Sequence, residues 1–221
     1  MWYKVNKRLV GTKQVRPSWW KPWANTLAYY PLNSTTTVND TSWNNKTMTN
    51  SSVSFWTYQW IDCAYGSSRK YLSTPTLSWA KTISLWAYWA WHTSDSTYSP
   101  TFTYGTGSTN NLQSLYEDDK YTCWNSSGYV VVNSQIKNKW YYYTLALDTT
   151  EKRLYFNWQL VGTANNSSLS DWMFYFFCFI NNTSWNNYYN WWISNVIIEN
   201  KVWTATEISN YYNQTKSKYW L

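Results

Sequence analysis

The side chains able to do chemistry are few and poorly spaced for catalysis. His92 is the single histidine, so neither a Ser-His-Asp nor a Cys-His relay can be assembled, and one imidazole cannot build a zinc site. Cys63, Cys123 and Cys178 have no metal-ligand spacing, and their odd number leaves at least one unpaired. They read as buried or free thiols. Glu117 and Asp119 could share a strand face as acid and nucleophile, but beside Asp118 and Lys120 they read as a solvated hairpin turn. Asp40 and Asp62 in early loops and Asn186 in a late one could offer hard oxygen ligands to Ca²⁺, with simple turn capping as the competing role.

What the chain has in quantity is aromatic and amide surface. Aromatic residues make up 22% of it and charged residues only 13%. An aromatic face suits the apolar face of a pyranose. Tyr65, Tyr104, Trp124, Tyr188 and Tyr189 are therefore candidates to stack on a sugar, with Asn125 and Asn187 as hydrogen-bond partners. Cross-strand packing is the competing role for every one of these aromatics.

The elements that must position them are strands. The polar remainder is dominated by Ser, Thr and Asn, which favour strands and turns over helix interiors. Leu27–Leu32 predicts a short strand that Pro31 confines to an edge or an end, followed by a polar loop over 33–50. Thr82–Tyr88 alternates Ile83, Leu85 and Ala87 against Ser84, Trp86 and Tyr88, which predicts a central strand with one face more apolar. Further strands are expected at Tyr98–Tyr104, Leu112–Tyr116, Lys120–Trp124, Lys139–Asp148 and Trp191–Glu199. Arg153–Gly162 reads as two strands around a two-residue turn. The apolar run Met173–Ile180 is too short for a membrane helix and predicts a buried strand. Thr204 with Glu207 forms a capping box that should start a short helix through Tyr212.

Residues 1–24 form a basic arm carrying Lys4, Lys7, Arg8, Lys13, Arg16 and Lys21, with Pro17 and Pro22 favouring extended backbone. No interleaved Arg/aromatic motif accompanies it, so a solvated tail or one that docks to other subunits of a larger assembly is expected rather than nucleic-acid binding. No apolar segment of signal-peptide type follows the charged start, and no membrane insertion is expected. The domain proper is expected over 25–214, with 215–221 as a C-terminal tail.

Ala28-Tyr29-Tyr30-Pro31-Leu32, Ile83-Ser84-Leu85-Trp86, Lys139-Trp140-Tyr141-Tyr142 and Lys152-Arg153-Leu154-Tyr155-Phe156-Asn157 come in this order, ahead of Ile193-Ser194-Asn195-Val196-Ile197-Ile198 and Trp203-Thr204-Ala205-Thr206-Glu207-Ile208. Together they resemble the laminin G-like, concanavalin A-like lectin/glucanase superfamily. The resemblance implies an all-β fold, a two-sheet antiparallel β-sandwich of jelly-roll type, with a concave sheet and rim loops as the usual ligand surface and a short C-terminal helix. It implies no single function, since members include carbohydrate-binding modules, adhesion domains, glycosidases and domains of viral tail and bacterial surface proteins. The E-x-D-x-x-E pattern of the glycosidases is missing, so no enzyme is expected.

One departure from ordinary turn chemistry is systematic. The chain has 6 Gly and 20 Trp. Ser42-Trp43-Asn44-Asn45 and Ser184-Trp185-Asn186-Asn187 have tryptophan where S-G-N-N would be ordinary, and Asn157-Trp158 occupies a hairpin that wants Asn-Gly. Trp56, Trp60, Trp79 and Trp191 also fall where the resemblance implies glycine, whereas Trp86, Trp140 and Trp203 fit apolar positions. Either the source genome reads UGA as glycine and these codons were rendered as tryptophan, or the tryptophans form a sugar-stacking surface. The leading functional expectation is a non-catalytic, lectin-like module that binds a glycan or cell-surface polysaccharide, displayed extracellularly on a cell surface or a viral tail or fibre. A structural virion or surface-layer domain and a degenerate glycosidase are the alternatives.

Overall fold

A computed structural model describes residues 24–35, 37–66, 70–89, 99–104, 112–117, 120–125, 128–132, 138–166, 173–178 and 191–221. Residues 1–23 of the basic arm, His92, Asp118, Asp119, Trp185, Asn186, Asn187, Tyr188 and Tyr189 lie outside these residues. The strands in chain order are β1 (Thr26–Tyr30), β2 (Thr49–Ser51), β3 (Ser54–Tyr58), β4 (Ile61–Gly66) and β5 (Tyr71–Ser73). Then come β6 (Thr82–Trp89), β7 (Ser99–Tyr104), β8 (Leu112–Glu117), β9 (Lys120–Asn125) and β10 (Gly128–Val132). The last five are β11 (Trp140–Leu147), β12 (Glu151–Phe156), β13 (Gln159–Asn165), β14 (Phe174–Phe176) and β15 (Trp191–Glu199), followed by helix α1 (Ala205–Thr215).

These strands form two antiparallel sheets. The first runs β13-β12-β11-β6-β15-β4-β3, with β1 also paired to β15, and the second runs β10-β9-β8-β7-β14-β5-β2. The fold is the all-β sandwich expected. Between the sheets lies a core to which the first contributes Ile83, Leu85, Ala87, Leu145, Ile193 and Ile198, and the second Leu72, Phe102, Tyr104, Phe174 and Phe176. Close approach matters at Gly66 and Gly162, where an added Cβ would collide with Phe177 and Val130.

The outer face of the first sheet is buried as well. Trp86, Tyr88, Trp140, Tyr142 and Trp192 on that face join Ile208, Tyr211 and Tyr212 of α1 in a second core. The helix starts as its sequence demands: Thr204 Oγ1 accepts from the Glu207 N–H at 3.2 Å, and Glu207 Oε2 accepts from the Thr204 N–H at 2.9 Å. Its buried residues at i, i+3 and i+4 then face the sheet.

Two differences from expectation bear on the second core and the site. Among the described residues of Met173–Ile180 the strand covers Phe174–Phe176, and Phe177 turns into the left-handed region at φ 68°. The segment 215–221 is no free tail: Lys216–Tyr219 forms a 3-10 turn, and the Tyr219 ring is buried face to face on Trp86, centroids 3.9 Å apart. Its hydroxyl donates to Ser194 Oγ at 3.1 Å and accepts from Asn195 Nδ2. Both partners belong to an irregularity in β15, where the register to β6 shifts between Ser194 and Ile197 and Asn195 sits at φ 51°. The extra residue lets Ile193 and Val196 both enter the inner core, while Ile197 joins the outer one.

Candidate ligand-binding site

The outer face carries a row of aromatic rings running across the strands. The register aligns Tyr65 of β4 with Trp192 of β15, Trp192 with Tyr88 of β6, and Tyr88 with Trp140 of β11. Ring centroids along it are 5.1, 5.4 and 5.7 Å apart. Tyr58 stacks on Trp192 at 4.1 Å, and the half-exposed Trp56 tilts against Tyr65 at 5.0 Å. Neighbouring strands place directly opposed side chains close enough to touch, so register alone builds this row.

The row runs out into a cleft of about 560 Å³. It is lined by the nearly covered Trp140 and Tyr219, by the exposed rings of Trp60 and Trp220, and by Gln59, Asn138 and Lys139, which bring amides and an ammonium. The two-residue turn Gln59-Trp60 joins β3 to β4, since Tyr58 pairs directly with Ile61. Gln59 Nε2 donates to the Tyr88 hydroxyl at 3.3 Å, and the Gln59 carbonyl accepts from Trp220 Nε1 at 3.3 Å. Burial pushes the Tyr88 phenol up to about 12 and Tyr219 well above its ordinary value. Among the described residues no Asp or Glu side chain lines the cleft, which offers rings, amides and an ammonium.

A second, shallower cleft lies between the hairpin of β12 and β13 and the start of α1, lined by Tyr155, Trp158, Gln159, Leu160 and Ser209. Among the described residues it too has no Asp or Glu side chain lining it.

The residues singled out in the sequence fall into different places. Tyr65 belongs to the aromatic row. Tyr104 does not reach a ligand: it is 1% exposed in the inter-sheet core, stacked on Phe174 at 4.3 Å, so its role is packing. Its position in β7 aims it at the other sheet, a direction that strand alternation alone could not assign. Trp124 and Asn125 end β9, and nothing is described of their side chains.

Asp40 and Asp62 do not share a site. All four lone-pair positions of the Asp40 carboxylate are taken: Oδ1 accepts from the Tyr29 and Ser42 N–H groups, and Oδ2 from Ser42 Oγ and the Lys46 N–H, all at 2.8–2.9 Å. That carboxylate ties down its own loop and does not fit a calcium ligand. Asp62 accepts from Thr57 Oγ1 at 2.7 Å across the β3–β4 hairpin. No group of three potential metal ligands occurs among the described residues.

Sequence reasoning missed Gln59, Asn138, Lys139 and Tyr219. The available signal was Tyr58-Gln59-Trp60-Ile61, two strand residues flanking a two-residue turn. Nothing local reveals that the chain's last residues close the same cleft.

No protein-family model and no curated protein matches the sequence. Solved structures do. The binding domain of botulinum neurotoxin serotype D is similar at TM-score 0.69 and 12% identity, over 86% of this chain and 51% of that one. The binding domain of Paraclostridial Mosquitocidal Protein 1 is similar to the same degree, over 86% and 52%. Domain 4 of AbnA, a GH43 extracellular arabinanase from Geobacillus stearothermophilus in complex with arabinotriose, matches at TM-score 0.65 and 13% identity over 84% of this chain and 97% of that domain. The chain shares their β-sandwich fold. It spans about half the length of the toxin binding domains it matches and nearly all of the arabinanase domain. One toxin structure of this group, serotype D again, is a complex with N-acetylneuraminic acid. No described helix is long and apolar enough to cross a membrane.

Proposed function

We propose that the chain is a non-catalytic, lectin-like module that binds a glycan in the cleft over Trp140 and Tyr219, displayed extracellularly on a cell surface or a virion. The observation that carries the reading is the cleft itself, where the amides of Gln59 and Asn138 and the ammonium of Lys139 gather beside aromatic rings, of which Trp140 and Tyr219 are nearly covered. Rings contribute apolar area against a sugar face, while amides and an ammonium give directional hydrogen bonds to its hydroxyls. The likeness to sugar-complexed sandwiches supports the ligand class without naming the sugar.

A glycan array with and without calcium identifies the ligand, and calorimetric titration of that glycan against variants locates the site. Gln59 and Asn138 have φ of 47° and 59°, so Q59G and N138G remove the amides without straining the backbone. Each should weaken binding about tenfold. Unchanged affinity in both would remove the cleft as the site, and an array with no binder in either condition would count against a lectin.

A further inference from the structure

We infer that Trp60, Trp79, Trp158 and Trp220 are glycine positions, encoded by UGA codons that the source organism reads as glycine. The inference concerns which residues the native protein carries and stands apart from glycan binding.

Thirteen non-glycine residues among those described adopt positive φ. Asn45, Asn138, Asn157 and Asn195 are expected there, because a short amide side chain tolerates the left-handed region. Trp60 (φ 65°), Trp79 (φ 63°), Trp158 (φ 73°) and Trp220 (φ 63°) are not, since a bulky side chain crowds its own backbone in that conformation. Tryptophan is thus as frequent as asparagine where glycine belongs. The three described glycines, Gly66, Gly128 and Gly162, all sit inside strands.

Each of the four sits at a turn or cap. Gln59-Trp60 and Asn157-Trp158 are two-residue hairpin loops closed by Tyr58–Ile61 and Phe156–Gln159, with both central φ values positive. That is the type I′ turn, whose second residue is most often glycine. Trp220 ends the 3-10 turn at φ 63°, ψ 30°, its N–H donating to the Lys216 carbonyl, the left-handed cap that glycine usually supplies. Trp79 lies in the turn leading into β6.

A stacking surface would place rings where a ligand runs. These four are scattered: Trp60 and Trp220 on one cleft, Trp158 on another, Trp79 in a separate turn. Backbone conformation is their common property, and their rings are left 45–74% exposed. The comparison also separates suspects that composition lumps together. Trp191 is 5% exposed in the inner core, and Trp56 and Trp43 are not left-handed, so none of these three is included. Trp220 joins on its cap geometry alone. With Trp60 and Trp220 replaced, the glycan cleft would lose its two exposed rings and keep the amides of Gln59 and Asn138 and the Lys139 ammonium.

Two measurements test the inference. In the gene, the four codons should be UGA and those of Trp86, Trp140 and Trp203 UGG; in protein purified from the source organism, mass spectrometry should find each of the four positions lighter by an indolylmethyl group. Tryptophan at any of the four in the native protein overturns it, whatever the glycan array shows. The fourfold variant W60G/W79G/W158G/W220G, compared with the tryptophan chain, should melt about 4–8 °C higher, relief of left-handed strain outweighing the flexibility that glycine adds to the unfolded chain. A lower Tm overturns the strain argument.

Discussion

The two faces of the first sheet are both buried, yet they are built from different chemistry. Ile83, Leu85, Ala87, Leu145 and Ile193 on the inner face are mostly aliphatic, and the opposite sheet covers them. Ser84, Trp86, Tyr88, Tyr142 and Trp192 on the outer face combine rings with hydroxyls, and a helix and a 3-10 turn cover them only in part. Ser84 Oγ donates to the Tyr142 hydroxyl at 2.6 Å and accepts from Thr144 Oγ1 at 3.3 Å, so the hydroxyls buried here are paired, whereas the indole N–H groups of Trp86, Trp140 and Trp192 are buried without a partner among the described residues. The inner face holds the sandwich together. The outer face does so too, and where its cover ends it opens into a site.

The largest effects should come from Leu85→Ala and Trp86→Ala, neighbours in sequence that point to opposite faces. L85A should cost about 2–5 kcal/mol and W86A about 3–5 kcal/mol in denaturant unfolding. A W86A cost of a few tenths would mean that the outer cluster is a loose cover and not a core. Tyr219→Phe sharpens the same point at smaller scale, since it keeps the stack on Trp86 and deletes the hydroxyl shared by Ser194 and Asn195. The expected loss is about 1–2 kcal/mol, and no loss would show the C-terminal turn to be held by ring contact alone.

The smallest effect is tied to pH. Glu199, 1% exposed at the end of β15, accepts from Thr26 Oγ1 at 2.9 Å and from Trp203 Nε1 at 2.8 Å, but burial outweighs these bonds and raises its carboxyl. A carboxyl raised in the folded state stabilises fully below its unfolded value, about 4.5, and loses that contribution as pH rises through the folded one. The parent chain should therefore gain stability relative to Glu199→Gln as pH is lowered from 7 and level off below the unfolded value. A difference that is flat across this range in thermal melts would sink the assignment.

Much of the fold was legible because its cause is local. Thr204 and Glu207 announced the helix through paired side-chain and backbone bonds, and Asn157-Trp158 announced its hairpin through spacing alone. The outer core was less legible. In Thr82–Tyr88 the hydroxyl of Ser84 and the mixed character of Trp86 and Tyr88 read as the less apolar face, because period-two alternation reports polarity and not what the remainder of the chain lays on top. β2 to β5 and β10 escaped notice for different reasons: β2 and β5 are three residues each and the exposed residues of β3 carry little apolar contrast, whereas β4 is as long as the recognised β7 but its burial does not alternate. The cleft was the least legible part. Its residues come from a hairpin, from the start of β11 and from the last few positions of the chain, and only tertiary packing brings Gln59, Trp140 and Tyr219 together. Tyr104 takes the packing role that competes with stacking, because the aromatic character that suits a sugar also suits a core.

The position of β15 has a consequence in time. It lies near the middle of the first sheet, paired with β6, β4 and β1, although it is the last strand in the chain. During synthesis β4 and β6 must wait for it with unpaired edges, and β1 cannot close on it until most of the chain has been made. A topology with such distant pairings folds slowly. Until the final strand arrives, those edges are open to pairing with another nascent copy.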